Sequence, residues 1–273
     1  MTALRLDGVS ARLGGRTVLR DVDLEVPDGA RLGIVGVNGA GKTTLLRVLA
    51  GVLRPSEGTA LIADGRGGLA DLRRLPARER ARRLAFVPQE DVVTAELRVG
   101  EMVALGRVPQ TRPWARGGRA EYELVRGALD AVGLAGRIDT ACDQLSGGER
   151  RRAVLARGLV QRCPVMLLDE PTNHLDVAWQ LNLLEVFAAQ AQTLVATVHD
   201  LDLALRFFDL LAVVGWRDDN TGPAGIVAFG PPGEVLSAAH VESHFGVGSV
   251  QVPHPQRPQL HLLIHPREDR SPA

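Results

Sequence analysis

Lysine is almost missing from this chain: Lys and Arg together number 32 of 273 residues, and Lys42 is the one lysine among them. Aromatic residues make up 4%, and no Phe, Trp or Tyr occurs before Phe86. The two cysteines, Cys142 and Cys163, form no C-x-x-C, so free thiols in a reducing compartment are expected rather than a disulfide framework. Neither charge dominates. Asp and Glu also number 32, the formal net charge is +0 and the sequence pI is about 7.1, which argues against broad electrostatic capture of nucleic acid or anionic lipid. There is no charged leader followed by an apolar stretch, no apolar run near the length that crosses a bilayer, no fixed-period repeat and no low-complexity tract. A cytosolic product that docks on a membrane protein fits these absences. With 45% hydrophobic residues in 29.3 kDa, the core suffices for one large α/β domain or two small ones.

What is present centres on Gly36 to Thr44, GVNGAGKTT. A short apolar run from Arg31 to Val37 predicts a buried parallel strand, and Leu45 to Ala50, closed by Gly51, predicts a helix. Between them stands G-x-x-x-x-G-K-T, a P-loop spacing in its required strand–turn–helix context. Glycines at 36, 39 and 41 let the backbone wrap so that N–H groups point inward at phosphates, with the positive end of the helix behind them. Lys42 would reach the β- and γ-phosphates and the Thr43 hydroxyl would ligate Mg²⁺. The candidate nucleotide contacts are therefore Gly36, Asn38, Gly39, Ala40, Gly41, Lys42, Thr43 and Thr44. The single lysine fits this reading, because a compact ammonium suits a phosphate cradle where a planar guanidinium does not.

Along the rest of the chain, two alternating segments within residues 3 to 26, split by Gly14-Gly15, predict a hairpin. Thr59 to Ala63 predicts a strand ending at an Asp64-Gly65 turn, followed by an arginine-rich helix from Leu69 to Arg83. Interleaved acids and missing aromatics make that helix a solvated face rather than a nucleic-acid patch. Leu84 to Val87 predicts a strand ending in Pro88-Gln89, and a mostly helical stretch follows to Leu159, broken by a Gly/Pro/Trp-rich connection at 106 to 118. Residues 165–169, VMLLD, form an apolar run ending in a carboxylate, as expected of a central parallel strand. Leu194 to Val198, before His199-Asp200, repeats the pattern, and Leu210 to Val214 adds another strand. A Pro/His-containing tail begins after Gly246.

Further motifs, in their order along the chain, resemble the ATP-binding subunit of an ABC transporter over residues 1 to about 250. Asp169-Glu170 stands where the family's apolar strand ends; alone it would also suit a helix N-cap. The resemblance implies that Asp169 holds Mg²⁺ and that Glu170 orients or deprotonates the attacking water. Leu145 to Glu149, LSGGE, matches the family signature, which implies that Ser146, Gly147 and Gly148 face the γ-phosphate held by a second copy. Arg151 departs from the pattern, since the family usually has glutamine there. Gln89 resembles the glutamine that touches Mg²⁺ or its water, Asp176 the acid at the dimer interface, and His199 the histidine that bonds the γ-phosphate. A lone histidine ending a strand is also a common structural residue, so His199 rests on its spacing after Glu170.

The family usually stacks adenine on an aromatic about two dozen residues before the P-loop. Here Leu13 stands there, with Val18 nearby, so apolar contact and weak base selectivity are expected. Residues 103–109, VALGRVP, together with Gln180 and the Asn173-His174-Leu175-Asp176 and His199–Ala204 stretches, are similar to importers of ferric siderophores, haem and cobalamin. The resemblance implies a P-loop α/β cassette over 1–246, with an N-terminal antiparallel β subdomain and an inserted helical subdomain at about 90–159, and a tail at 247–273. It implies ATP and Mg²⁺, a homodimer, transmembrane permease subunits, an indirect link to a substrate-binding protein, and a cytoplasmic location on the inner face of the membrane. A ferric siderophore leads as cargo; haem or cobalamin, another importer or exporter, and a soluble non-transport ATPase are the alternatives, the last disfavoured by a single P-loop and absent heptads. His240 and His244, one helical face apart, and His254, His261 and His265 suit a soluble surface better than a metal site.

Overall fold

The computed structural model describes residues 1–89, 96–111, 118–173, 175, 177–216, 222–256 and 259–267. In chain order its elements are β1 (Thr2–Leu13), β2 (Arg16–Pro27), β3 (Arg31–Val35), α1 (Lys42–Leu49), β4 (Glu57–Ala63), β5 (Leu69–Asp71), α2 (Ala77–Arg83), β6 (Leu84–Val87), α3 (Val99–Ala104), α4 (Arg119–Ala131) and α5 (Gly147–Leu159). They continue with β7 (Val165–Leu168), α6 (Val177–Gln190), β8 (Thr193–Thr197), α7 (Leu201–Phe207), β9 (Leu210–Trp216), β10 (Ala224–Gly230), α8 (Pro232–Val235), α9 (Ala238–Phe245), β11 (Gly248–Pro253) and β12 (Leu260–His265). The chain divides into two compact units, residues 1–73 with 195–273, and residues 74–194.

In the first unit the strands run β5-β4-β1-β2-β10-β9-β3. Neighbours are antiparallel from β5 to β2; β10 joins this half to the rest by pairing parallel with β2 and antiparallel with β9, and β9 runs parallel to β3. The expected Gly14-Gly15 hairpin forms, with both glycines at positive φ, +55° and +82°, the geometry of a turn that matches strand twist. β2 alternates buried and exposed residues from Val22 to Pro27, whereas β3 buries Leu32 to Val35 completely, as a strand covered on both faces does. Arg31 and Asp209 pin the entries of β3 and β9: the guanidinium donates to both carboxylate oxygens, at 3.1 and 2.7 Å, and lies 5.0 Å over the Phe207 ring.

The second unit holds the buried parallel pair β6 and β7, in register Leu84↔Val165 to Val87↔Leu168, together with the helices. Its core gathers Met102, Val103, Leu129, Leu155 and Phe187, each at most 2% exposed. Trp179 takes the Arg152 guanidinium over its ring at 4.7 Å. These elements make the chain an α/β P-loop cassette with an antiparallel β subdomain and an inserted helical segment.

The arginine-rich stretch differs from the expectation of one helix over 69–83. Leu69–Asp71 is a strand paired antiparallel with β4, and the helix begins at Ala77. Asp64 accepts from the N–H groups of Arg66 and Gly68 and closes a tight turn there, and Pro76 sits at the N-cap, a position its fixed φ suits. The tail after Gly246 carries the hairpin β11–β12, held to α7 by Asp202, which accepts from the Leu262 N–H at 2.9 Å and faces His261 Nδ1 at 3.1 Å. Cys142 and Cys163 are free thiols, as expected, and both are buried.

Candidate functional site

In the first unit, β3 delivers the chain into the P-loop at Gly36, whose φ is +149°. A Cβ on Gly36 would stand 2.1 Å from the Val214 carbonyl oxygen, so no larger residue fits. Gly39 and Gly41 also have positive φ, +80° and +98°, which is how the loop turns back within so few residues. Asn38 and Gly39 form its exposed tip, and Ala40 is buried and donates to the Val37 carbonyl at 3.3 Å. The first i to i−4 bond of α1 is Leu45 to Gly41, so the N–H groups of Lys42, Thr43 and Thr44 face out of the helix N-terminus. The Lys42 ammonium, 6% exposed, donates to the carbonyls of Gly36 at 2.8 Å and Val37 at 3.2 Å. A cation held by the loop's own carbonyls stands ready for phosphate oxygens.

Two more expected residues lie in this unit. Val18 packs against Gly41, and Leu13 ends β1 with 42% of its surface exposed. β8 is the neighbour of β3, and the Val198 N–H donates to the Ile34 carbonyl at 3.0 Å. The chain therefore leaves the two strands side by side, into Gly36 at one and His199 at the other, a strand-end crevice of the kind α/β folds use for ligands. Asp200 caps α7 by accepting from the Leu203 N–H at 3.0 Å, and His199 is exposed.

In the second unit, β6 ends at Val87 and leads through Pro88 into Gln89, and β7 ends at Leu168 and leads into Asp169-Glu170. The Gln89 Nε2 donates to Glu170 Oε2 at 2.6 Å, and Asn173 Nδ2 donates to the same oxygen. Glu170 has φ +46°, the left-handed region that a residue with a side chain rarely occupies. Asp169 is 1% exposed, with its N–H on the Val87 carbonyl at 2.9 Å. Behind both stands Arg151, whose guanidinium donates to four backbone carbonyls; burial pulls its pKa down, while the charges of Asp169 and Glu170 hold it up. Asn173 and Arg151 are the contributors that sequence reading missed as site residues. Arg151 had a signal, its place where the family has glutamine, whereas Asn173 was noted only as part of the Asn-His-Leu-Asp stretch.

The signature forms a capping box. Ser146 is the N-cap of α5: its Oγ accepts from the Glu149 N–H at 3.3 Å, and Glu149 accepts from the Ser146 N–H at 3.0 Å and hydroxyl at 2.9 Å. Those bonds from Ser146, with help from Arg137, hold the Glu149 carboxyl below the usual range. Gly147 and Gly148 open the helix, with no atom within 4 Å of a Cβ built on Gly147. Asp176 lies outside the described residues, as does most of the loop between Trp216 and Ala224. His240 and His244 face each other on α9 at 5.9 Å, and among the described residues no group of three His, Cys, Asp or Glu side chains could hold a metal.

For nucleotide and Mg²⁺, the residues fit. In the first unit the P-loop presents a glycine-lined backbone cradle with an ammonium inside it, and Thr43 carries a hydroxyl of the kind Mg²⁺ takes; in the second unit, taken by itself, Gln89 and Asp169 carry oxygen donors of the same hard kind.

Such a loop on such a sheet defines the class: a P-loop nucleotide-binding ATPase. The ABC transporter family model matches residues 19–173, and the chain belongs to that family. The cobalamin import ATP-binding protein BtuD of Halobacterium salinarum is 41% identical over 215 residues, 77% of this chain, which spans about half (52%) of that relative's length. The hemin import ATP-binding protein HmuV of Gloeobacter violaceus is 38% identical over 93% of this chain and 90% of its own. The ferric enterobactin transport ATP-binding protein FepC of Escherichia coli is 35% identical over 89% and 87%. Among solved structures, a dimeric ATP-binding cassette bound to ADP and Pi in a post-hydrolysis state shares the fold, with a TM-score of 0.72 at 23% identity over 84% of this chain and 98% of that one.

Proposed function

We propose that the chain binds and hydrolyses ATP to drive import of a metal chelate, a ferric siderophore first. The observation that carries the ATPase part is the Glu170 carboxylate, held at 2.6 Å by Gln89 at the end of a buried strand. That arrangement suits a base: a carboxyl group, oriented by amide donors, in the role of taking a proton from an attacking water. Lys42 and the P-loop amides hold the phosphates, Ser146, Gly147 and Gly148 cap the nucleotide of a second copy, Asp176 serves the dimer interface, and His199 bonds the γ-phosphate. Leu13 and Val18 give the base apolar contact. Mg²⁺, when bound at Thr43, Asp169 and Gln89, supplies charge neutralisation for the transferred phosphoryl group.

The cassette in this reading covers 1–246, with helices of about 90–159 inserted and 247–273 as a tail. Two copies close on ATP and reopen after hydrolysis, shifting a transmembrane permease between its states while a substrate-binding protein delivers the chelate. The chain works on the inner face of the membrane; none of its described helices is long and apolar enough to cross one. Import is supported by the names of the relatives and by the resemblance of residues 103–109 to importer cassettes. The same names favour haem or cobalamin as the second reading.

The test is uptake of radio-iron, offered as several siderophores, in cells lacking this chain and in the same cells given back the intact protein or Glu170→Gln. Loss of one chelate's uptake, restored only by the intact protein, supports the reading. Unchanged uptake of all of them moves the cargo to haem, cobalamin or another substrate.

A further inference from the structure

Four carbonyl groups converge on the buried side chain of Arg151, which is 8% exposed. Its Nη1 donates to Pro88 at 2.6 Å and Gln89 at 2.9 Å; its Nη2 donates to Asp169 at 2.8 Å and Glu170 at 3.1 Å. Each nitrogen serves one segment, the first leaving β6 and the second leaving β7, and those strands are already paired up to Val87↔Leu168. Beyond that register the backbone adds the bond from the Asp169 N–H to the Val87 carbonyl at 2.9 Å, and the clamp then ties the Pro88 and Gln89 carbonyls to those of Asp169 and Glu170.

Two of the four acceptors belong to Gln89 and Glu170, whose side chains meet at 2.6 Å. Glu170 is also held at φ +46°, a setting that surrounding contacts must enforce. A guanidinium can do this because its terminal nitrogens carry four hydrogens in one plane, two on each side. Glutamine, which the family resemblance leads one to expect at this position, has two hydrogens on a single nitrogen and cannot hold both segments through all four carbonyls.

We propose that Arg151 is a positioning residue for ATP hydrolysis: it locks the exits of β6 and β7 together and so holds the Gln89–Glu170 pair in the setting that water activation requires. The proposal rests on the reading of Glu170 as the base. Arg151 touches no reacting atom; its effect runs through the two residues whose carbonyls it binds.

The full-length chain is compared with Arg151→Gln, Arg151→Lys, Glu170→Gln and the double variant Arg151→Gln/Glu170→Gln. ATP turnover is followed by phosphate release, nucleotide affinity by titration with a fluorescent ATP analogue, and local order by amide hydrogen exchange of residues 84–89 and 165–173. Arg151→Gln is expected to fold, to bind the analogue within about twofold, and to lose about tenfold or more in kcat, because small misplacements of catalytic groups act on turnover rather than on binding. Arg151→Lys, with three donors on one point charge, falls between. The double variant is no slower than Glu170→Gln alone, since the clamp has no base left to position.

Exchange quickens in both segments of Arg151→Gln, including the Asp169 amide that bonds Val87. Unchanged turnover in Arg151→Gln overturns the proposal, and so does a parallel loss of affinity, stability and turnover, which marks a scaffold role. If the unaltered chain shows no turnover, the ATPase reading is what has failed. The exchange measurement then decides the clamp: faster exchange in both segments supports it and unchanged protection overturns it.

Discussion

The side-chain amide of Gln89 donates to Oε2 of Glu170 at 2.6 Å, and Asn173 reaches the same oxygen. A carboxylate accepting from two amides is fixed in direction. Replacing Glu170 by Gln leaves an acceptor oxygen for those amides but removes the basic site. Turnover is expected to fall by about 10²–10⁴, with ATP still bound. The ATP-loaded dimer then persists, which light scattering beside phosphate release would show; a lasting monomer with bound ATP would count against the assignment.

Much of this arrangement was legible in the sequence because it rests on spacing. The P-loop glycines, the apolar runs of β3, β7 and β8 and the acids that follow β7 are local patterns, and the strands formed within a residue or two of where they were read. Two features were not local. Leu69–Asp71 reads as helix from composition, but tertiary pairing with β4 overrides propensity, as it does for short segments. Arg151 reads only as a departure from the family's usual glutamine, and only the folded exits of β6 and β7 show the four carbonyls that it binds.

The missing adenine platform gives a second prediction. Val18 lies against Gly41, and Leu13 is exposed at the end of β1, so neither offers a ring to stack on the base. ATP and GTP are expected to bind within a few-fold of each other. Leu13→Tyr, at an exposed site that tolerates the larger side chain, should add about 0.5–1.5 kcal/mol of stacking, about two- to twelvefold in affinity. Nucleotide titration of both forms checks this; a strong adenine preference in the unaltered chain would sink it.

Cys163 supports a prediction about reactivity. It is 1% exposed, its thiol is directed at the Ala81 carbonyl 3.3 Å away, and burial pushes its pKa to about 11. At pH 8 about one such thiol in a thousand is thiolate, and thiolate is the nucleophile. Cys142 is equally buried and its pKa is also raised by burial. Native protein should therefore leave an aromatic disulfide reagent unreacted, and unfolding should release both thiols; rapid native labelling would mean that these sites open.

The Arg31–Asp209 pair carries a pH signature. The bond from Arg31, aided by that residue's backbone N–H and its charge, holds the Asp209 carboxyl below its usual range. A depressed acid stabilises the fold above its unfolded pKa of about 3.9 and loses that contribution as pH falls through the folded value. Arg31, raised above its ordinary value by the same bond, keeps its charge throughout that window. The side chains are 39% and 46% exposed, so solvent screens the pair and its worth is about 0.2–1 kcal/mol. Asp209→Asn should lower unfolding free energy by that amount near neutral pH and by progressively less below about pH 4, with a smaller gap in high salt. Denaturant titrations of both forms across this range measure it. A gap equally large at about pH 2.5 would assign the loss to packing at the start of β9 rather than to charge.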